Sequence, residues 1–189
     1  MVLEIVKYGS PVLRQKGAKI ESITPEIKKL IAAMFATMEE NHGVGLAAQQ
    51  VGVAQQLTVI DVRAVTDRPS TLELNGQPAE VASIMPLVLI NPVVKPAGEP
   101  ATGGEGCLSF PEIYAEISRP GTVDVTALDA KGKPIAFRCG GLLARAVQHE
   151  TDHLNGILFI DRMDKKTKEE LQPELDELQA ATKKSLGKK

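Results

Sequence analysis

Ile27, Leu30, Ile31, Met34, Phe35 and Met38 recur at the spacing of a helix, behind Thr24 and Pro25 and ahead of Gly43. Threonine is a good N-cap and proline suits a first turn, so this pattern predicts a helix over about residues 25–42. The period then changes. "LTVIDVR" (57–63) and "PLVLINPVV" (86–94) are short and β-branched and read as strands, with "TDRPSTLELNGQP" between them as an exposed loop or hairpin. "EIYAEISRP" and "TVDVTALD" alternate on either side of Pro120 and Gly121, and "AKGKP" marks a turn before "IAFR". The middle of the chain is therefore β-rich.

Helical spacing returns after Gly140 and Gly141. "LLARAVQHETDHLN" runs to Gly156, and Leu142, Leu143, Ala146, Val147 and Leu154 leave it little room for a solvent-exposed orientation. A third helix is predicted from Thr167, where "TKEE" has the capping-box form, to about Lys184. Pro173 should kink it or delay its start.

Composition narrows the class. The chain of 189 residues is 43% hydrophobic and shows no repeat, which fits one globular domain over 1–189. A formal charge of -2 gives no reason to expect a DNA-binding surface, although Lys183, Lys184, Lys188 and Lys189 make the end locally basic. Glu4 and Lys7 interrupt the apolar start, so it lacks the core of a secretory signal, and no stretch approaches membrane-spanning length. A cytoplasmic location with no membrane partner is the expectation. Cys107 and Cys139 are then free thiols or metal ligands.

The chemistry concentrates in "QHETDHLNG" (148–156), which holds two of the three histidines. On a helix, His149 and His153 share a face and can offer imidazole nitrogens to one metal ion, with Glu150 beside them. A catalytic metal needs a third protein ligand and an open position. The position that carries a histidine in metzincins is Phe159 here. Glu169, Glu170, Glu174 and Glu177 sit in a charged segment that reads as a solvated face. Cys107 in "EGCLSFP" is the better candidate, with Gly106 allowing close backbone approach. Two alternatives stay open: a closed structural zinc site that adds Cys139, and a general metallopeptidase. "GVGLAAQQ" (43–50) alone reads as a tight turn, and Ala48 breaks the dinucleotide-binding glycine pattern.

Taken together and in this order, "GVGLAAQQ", "EGCLS" (105–109) and "QHETDHLNG" resemble the three motifs of the peptide deformylase family. The likeness runs from "PVLR" near the start to "GILFIDR" (156–162), and the C-terminal extension resembles that of the bacterial type. Thr151 departs from it, standing where the family usually carries an apolar residue.

The resemblance implies an α+β fold, with largely antiparallel sheets packed around the helix that carries HExxH and with N-terminal and C-terminal helices flanking them. It implies that Cys107, His149 and His153 hold one divalent ion, Fe2+ physiologically, with Zn2+, Ni2+ or Co2+ able to substitute. The donor set alone would favour zinc. By the same resemblance Glu150 is the general acid and base, and Gln50 with the backbone N–H of Leu108 stabilises the oxyanion. The substrate is the N-formylmethionyl end of a nascent chain, deformylated to release formate. Val44, Leu142 and Ala146, with Arg145 beside them, resemble the wall of the methionine pocket. Backbone at Val44, Gly45 and Gly106 would pair with the extended peptide. Asp152 is expected to pair with Arg119. The basic tail raises a contact with ribosomal RNA, against the alternative of a solvated helix end.

Overall fold

The computed structural model describes residues 1–188; Lys189, the last lysine of the basic tail, lies outside them. The opening helical repeat folds as α1 (Pro25–Glu40), where Thr24 Oγ1 accepts the N–H of Ile27 at 3.3 Å. The helix stops short of residue 42 because Asn41 caps it through the Thr37 carbonyl and His42 turns left-handed, with φ 55°. Its buried stripe, Ile27, Ile31, Met34 and Met38, packs on Leu57, Val59, Val88 and Ile90.

Nine strands follow among the described residues: β1 (Gly45–Ala47), β2 (Leu57–Ile60), β3 (Ser70–Leu74), β4 (Gln77–Pro78), β5 (Leu87–Pro96), β6 (Pro100–Cys107), β7 (Phe110–Pro120), β8 (Thr122–Leu128) and β9 (Pro134–Gly140). Seven form one antiparallel sheet in the order β1-β2-β5-β8-β9-β3-β4, which leaves β1 at an edge. β6 and β7 form a separate two-stranded ribbon.

Three details differ from the sequence pattern. "TDRPSTLELNGQP" is a hairpin, turned at Asn75 (φ 52°) and Gly76 (φ 74°), and most of it is exposed as expected; what the pattern does not give is that β3 joins the main sheet and buries Leu72 opposite Cys139. β7 and β8 are neighbours in sequence yet belong to different sheets, the chain crossing between them at Gly121. The extent of β6 is not in the pattern, because "PATGGEGC" lacks β-branched bulk; its long register with β7 supplies the pairing instead.

α2 (Gly141–Leu154) buries eleven of its fourteen residues, more than its apolar positions alone would predict. α3 (Lys165–Leu186) begins before Thr167, because Asp164 is the cap and accepts the Thr167 N–H at 2.8 Å. Pro173 is accommodated on its exposed side, and Leu171, Leu175 and Leu178 seat the helix on the cluster around Phe110, Ile117 and Phe159. The result is an α+β fold of mostly antiparallel sheet and three α-helices among the described residues. None of those helices is long and apolar enough to cross a membrane.

Candidate metal centre

Helical geometry sets the first half of the site. Residues four apart on α2 project from one face, and the rings of His149 and His153 lie with centroids 5.0 Å apart. The second half comes from the β6–β7 ribbon. Its register shifts between Gly106 and Cys107, and Cys107 then faces Phe110, so Leu108 and Ser109 form a two-residue tip. That tip delivers Cys107 to the histidines: Sγ lies 3.3 Å from His153 Nε2, and the three ligand atoms all fall within 4.8 Å of one another. Ligands around a tetrahedral zinc stand about 3.5 Å apart, so one thiolate and two imidazoles at this spacing suit a divalent ion.

Glu105 orients His149. Its Oε1 accepts from His149 Nδ1 at 2.8 Å, which turns the other ring nitrogen toward Cys107. Burial opposes charge on Glu105, but bonds from His149 and Arg119 prevail and hold its pKa at about 2. The carboxylate also accepts from Arg119 Nε (2.7 Å) and Arg145 Nη1 (2.8 Å). Arg119 reaches on to Asp152 (2.8 Å), as the resemblance implied, and Arg162 pairs with Asp152 from the other side. Glu105 lies in the quoted "EGCLS" yet was not singled out; a carboxylate two residues before a ligand cysteine, on the same face of a strand, was the signal that could have found it.

Glu150 is 5% exposed and its Oε2 has no hydrogen-bond partner. An unsatisfied buried carboxylate oxygen is costly unless something else meets it. Burial pushes its pKa up to about 7, in the range where a carboxylate exchanges protons readily near neutrality. Burial also depresses His153 well below the imidazole range. His149 moves the other way: burial opposes its charge, but Cys107 and Glu105 draw it well above.

"GVGLAAQQ" completes the wall. Gly45 is glycine because a Cβ there would stand 2.5 Å from Glu150 Oε1. Gln50 sits in a 3-10 turn (Ala48–Val51), where its Oε1 accepts the Ala47 N–H at 2.9 Å. That bond turns Nε2 toward Cys107 Sγ (3.5 Å) and Ser109 Oγ (3.3 Å). Gln50, Val44, Gly45, Gly106, Cys107, Leu108, Leu142, Arg145, Ala146, His149 and Glu150 all line one cavity of about 510 Å³. His153 stands behind it. Arg145 lines the cavity while its guanidinium bonds Glu105, the Ile117 carbonyl and the Ala101 carbonyl.

The rival ligands lie elsewhere. Cys139 is in the sheet core, with burial pushing its thiol up to about 12, and Glu169, Glu170, Glu174 and Glu177 are exposed on α3. Among the described residues the only set of three or more side chains placed to hold a metal is Cys107, His149 and His153. Phe159, at the metzincin histidine position, packs its ring 5.9 Å from that of His149.

Three side chains placed to hold a metal, an orphaned buried carboxylate and an adjoining cavity fit one class: a metal-dependent hydrolase. A family model described as polypeptide deformylase matches residues 2–169. A peptide deformylase of Opitutus terrae is 44% identical, over 97% of this chain and 96% of its own length, and one of Methylacidiphilum infernorum is 43% identical, over 94% and 93%. The crystal structure of Arabidopsis thaliana peptide deformylase 1B, in complex with an inhibitor, matches with a TM-score of 0.83 at 37% identity, covering 98% of this chain and 94% of that one. The Synechococcus elongatus enzyme in complex with actinonin gives 0.75 at 37%, covering 95% and 85%. The chain belongs to the peptide deformylase family, whose metal-dependent enzymes remove the N-formyl group from the N-terminal formylmethionine of new proteins and release formate.

Proposed function

We propose that Cys107, His149 and His153 hold one divalent ion, with Fe2+ as the physiological metal and Zn2+, Ni2+ or Co2+ as substitutes, and that residues 1–189 work as one unit around it. The bound ion would supply Lewis acidity toward a water and the formyl group. Glu150 takes the proton of the attacking water and hands it to the departing amine, a task suited to a buried carboxylate poised near neutrality. Gln50 Nε2 and the N–H of Leu108 donate to the formyl oxygen as it gains charge. Glu105 keeps His149 in the tautomer a ligand needs.

The substrate residues are those of the cavity. Leu142, Ala146 and Val44 take the methionine side chain, Arg145 flanks them, and Gly45 and Gly106 border the extended peptide. In this reading α2 is the central element, carrying HExxH between the main sheet and the β6–β7 ribbon. The partner is the formylmethionyl end of a nascent chain, met in the cytoplasm. The lysine-rich end of α3 (Lys183, Lys184) suits ribosomal RNA near that substrate; co-sedimentation that weakens with salt and vanishes on truncating the tail tests this contact.

The observation that carries the proposal is the unpartnered Glu150 Oε2 beside three converging ligands. Formate release from a formyl-Met peptide, measured on wild type and Glu150→Gln purified without oxygen, is the test. The variant should retain its metal and lose at least about a hundredfold in kcat. A metal-loaded Glu150→Gln enzyme with wild-type turnover would remove Glu150 from the chemistry.

A further inference from the structure

Residues 6–8 run past both loops that carry the oxyanion donors, and each of the three makes a bond there. The Val6 N–H donates to the Gln50 carbonyl at 2.8 Å, Lys7 Nζ to the Leu108 carbonyl at 2.9 Å, and the Tyr8 N–H to the Ser109 carbonyl at 2.9 Å. The Tyr8 ring then stacks on Phe110, with centroids 4.8 Å apart.

The place they grip needs support. Leu108 and Ser109 are the tip of a ribbon only two strands wide, and such a tip is ordinarily the loosest part of its ribbon. Yet this one carries Cys107 on one side and the Leu108 N–H beside it. Two of the three bonds are main-chain bonds that any sequence following this path would make. The Lys7 bond alone depends on a side chain, and Lys7 is also part of the cavity wall. An ammonium on a carbonyl in a half-buried place is a charge-assisted bond, stronger than the neutral bonds beside it.

We propose that Lys7 is a positioning residue for the hydrolysis: its ammonium holds the Leu108 carbonyl, on the peptide unit next to the one that carries the Leu108 N–H, so that this N–H and Gln50 Nε2 stay aimed at one oxygen. The inference rests on the reading of those two groups as the donors. Catalytic geometry is steep, and a shift of about 1 Å in a positioned group costs on the order of a hundredfold in rate.

Lys7→Met keeps the aliphatic stem and removes the donor, Lys7→Arg restores a donor, and Gln50→Ala reports on the oxyanion reading itself. Formate release from a formyl-Met peptide, metal content and thermal melting are measured on all three. Lys7→Met should lose about tenfold to a hundredfold in kcat. Its KM should stay within about twofold, its metal content should be unchanged, and its melting midpoint should stay within about 3 °C of wild type. Lys7→Arg should recover most of the lost kcat. Wild-type kcat in Lys7→Met, beside an impaired Gln50→Ala, overturns the role of Lys7 and leaves the donor reading standing. A loss in Lys7→Met that comes with a large drop in melting temperature, and that Lys7→Arg does not repair, makes the residue structural and overturns it as well. Wild-type kcat in Gln50→Ala removes the donor reading, and the role of Lys7 falls with it.

Discussion

Gly45 leaves room for a neighbour. A methyl group there would meet Glu150 first, at Oε1, Cγ and Cδ, at 2.5, 2.8 and 2.9 Å. Gly45→Ala should therefore push the carboxylate aside without emptying the site. The expected result is a kcat lowered by at least about a hundredfold with metal content unchanged, read by formate release and metal analysis on one preparation. Cys139 shows the opposite relation between residue and site. It is a thiol in the same chain, but it packs between Val123 and Leu72 in the sheet, where burial keeps it protonated. The closed four-ligand alternative ends with that placement.

At the scale of elements, what joins α2 to the β6–β7 ribbon is charge as well as apolar packing. Glu105, on β6, is the shared carboxylate of Arg119, Arg145 and His149, and Asp152 extends the network to Arg162. Both Glu105 and Arg119 are almost fully buried, so removing the carboxylate charge leaves the Arg145 guanidinium without its carboxylate and Arg119 with Asp152 alone, in a dry place. Glu105→Gln should cost about 3 kcal/mol, because breaking a buried pair leaves its partner uncompensated. That corresponds to a melting midpoint lower by roughly 6–12 °C, checked by calorimetry. The exposed pair that ties Arg14 to the turn at Asp161 behaves differently. Burial works against the Asp161 charge, but Arg14 and the Leu158 N–H lower its pKa below the ordinary aspartate value. A carboxylate lowered on folding stabilises above its unfolded pKa, near 3.9, and loses that contribution as pH falls through the lower folded value. Asp161→Asn should thus melt about 1–3 °C below wild type at pH 7, since a half-exposed pair is worth at most about 1 kcal/mol, and the gap should close on acidification below about pH 4. Elements with periodic apolar faces were legible in advance: α1 and α2 lie within two residues of their expected ends, and β5 overlaps its apolar run. The extent of β6 was not, because "ATGGEG" carries no pattern of its own and is a strand only by virtue of β7. The convergence of Cys107, His149 and His153 was legible because three motifs agreed. Of the Glu105 network only the Arg119–Asp152 pair was expected; the position of Glu105 two residues before Cys107 marked it locally, but its partners Arg119, Arg145 and His149 come from long-range contacts that no local spacing encodes.

On the scale of the whole molecule, the centre is where two separately formed parts meet, the helix α2 and the tip of the ribbon. An ion bridging them binds the folded chain far better than the unfolded one, so it stabilises by mass action. A chelator at neutral pH should lower the melting midpoint by several degrees, and an added divalent metal should restore it in a concentration-dependent way. A midpoint indifferent to both would mean that no ion joins the two parts. The same division has a temporal side. During synthesis the sulfur of Cys107 leaves the ribosome well before the imidazoles of His149 and His153 exist to enclose it. For that interval it is an ordinary accessible thiol, open to sulfenic acid formation or mixed disulfides. During that interval the newborn polypeptide is open to peroxide at this one atom, and a sulfur oxidised then would keep the folded chain from taking up its ion until it was reduced again.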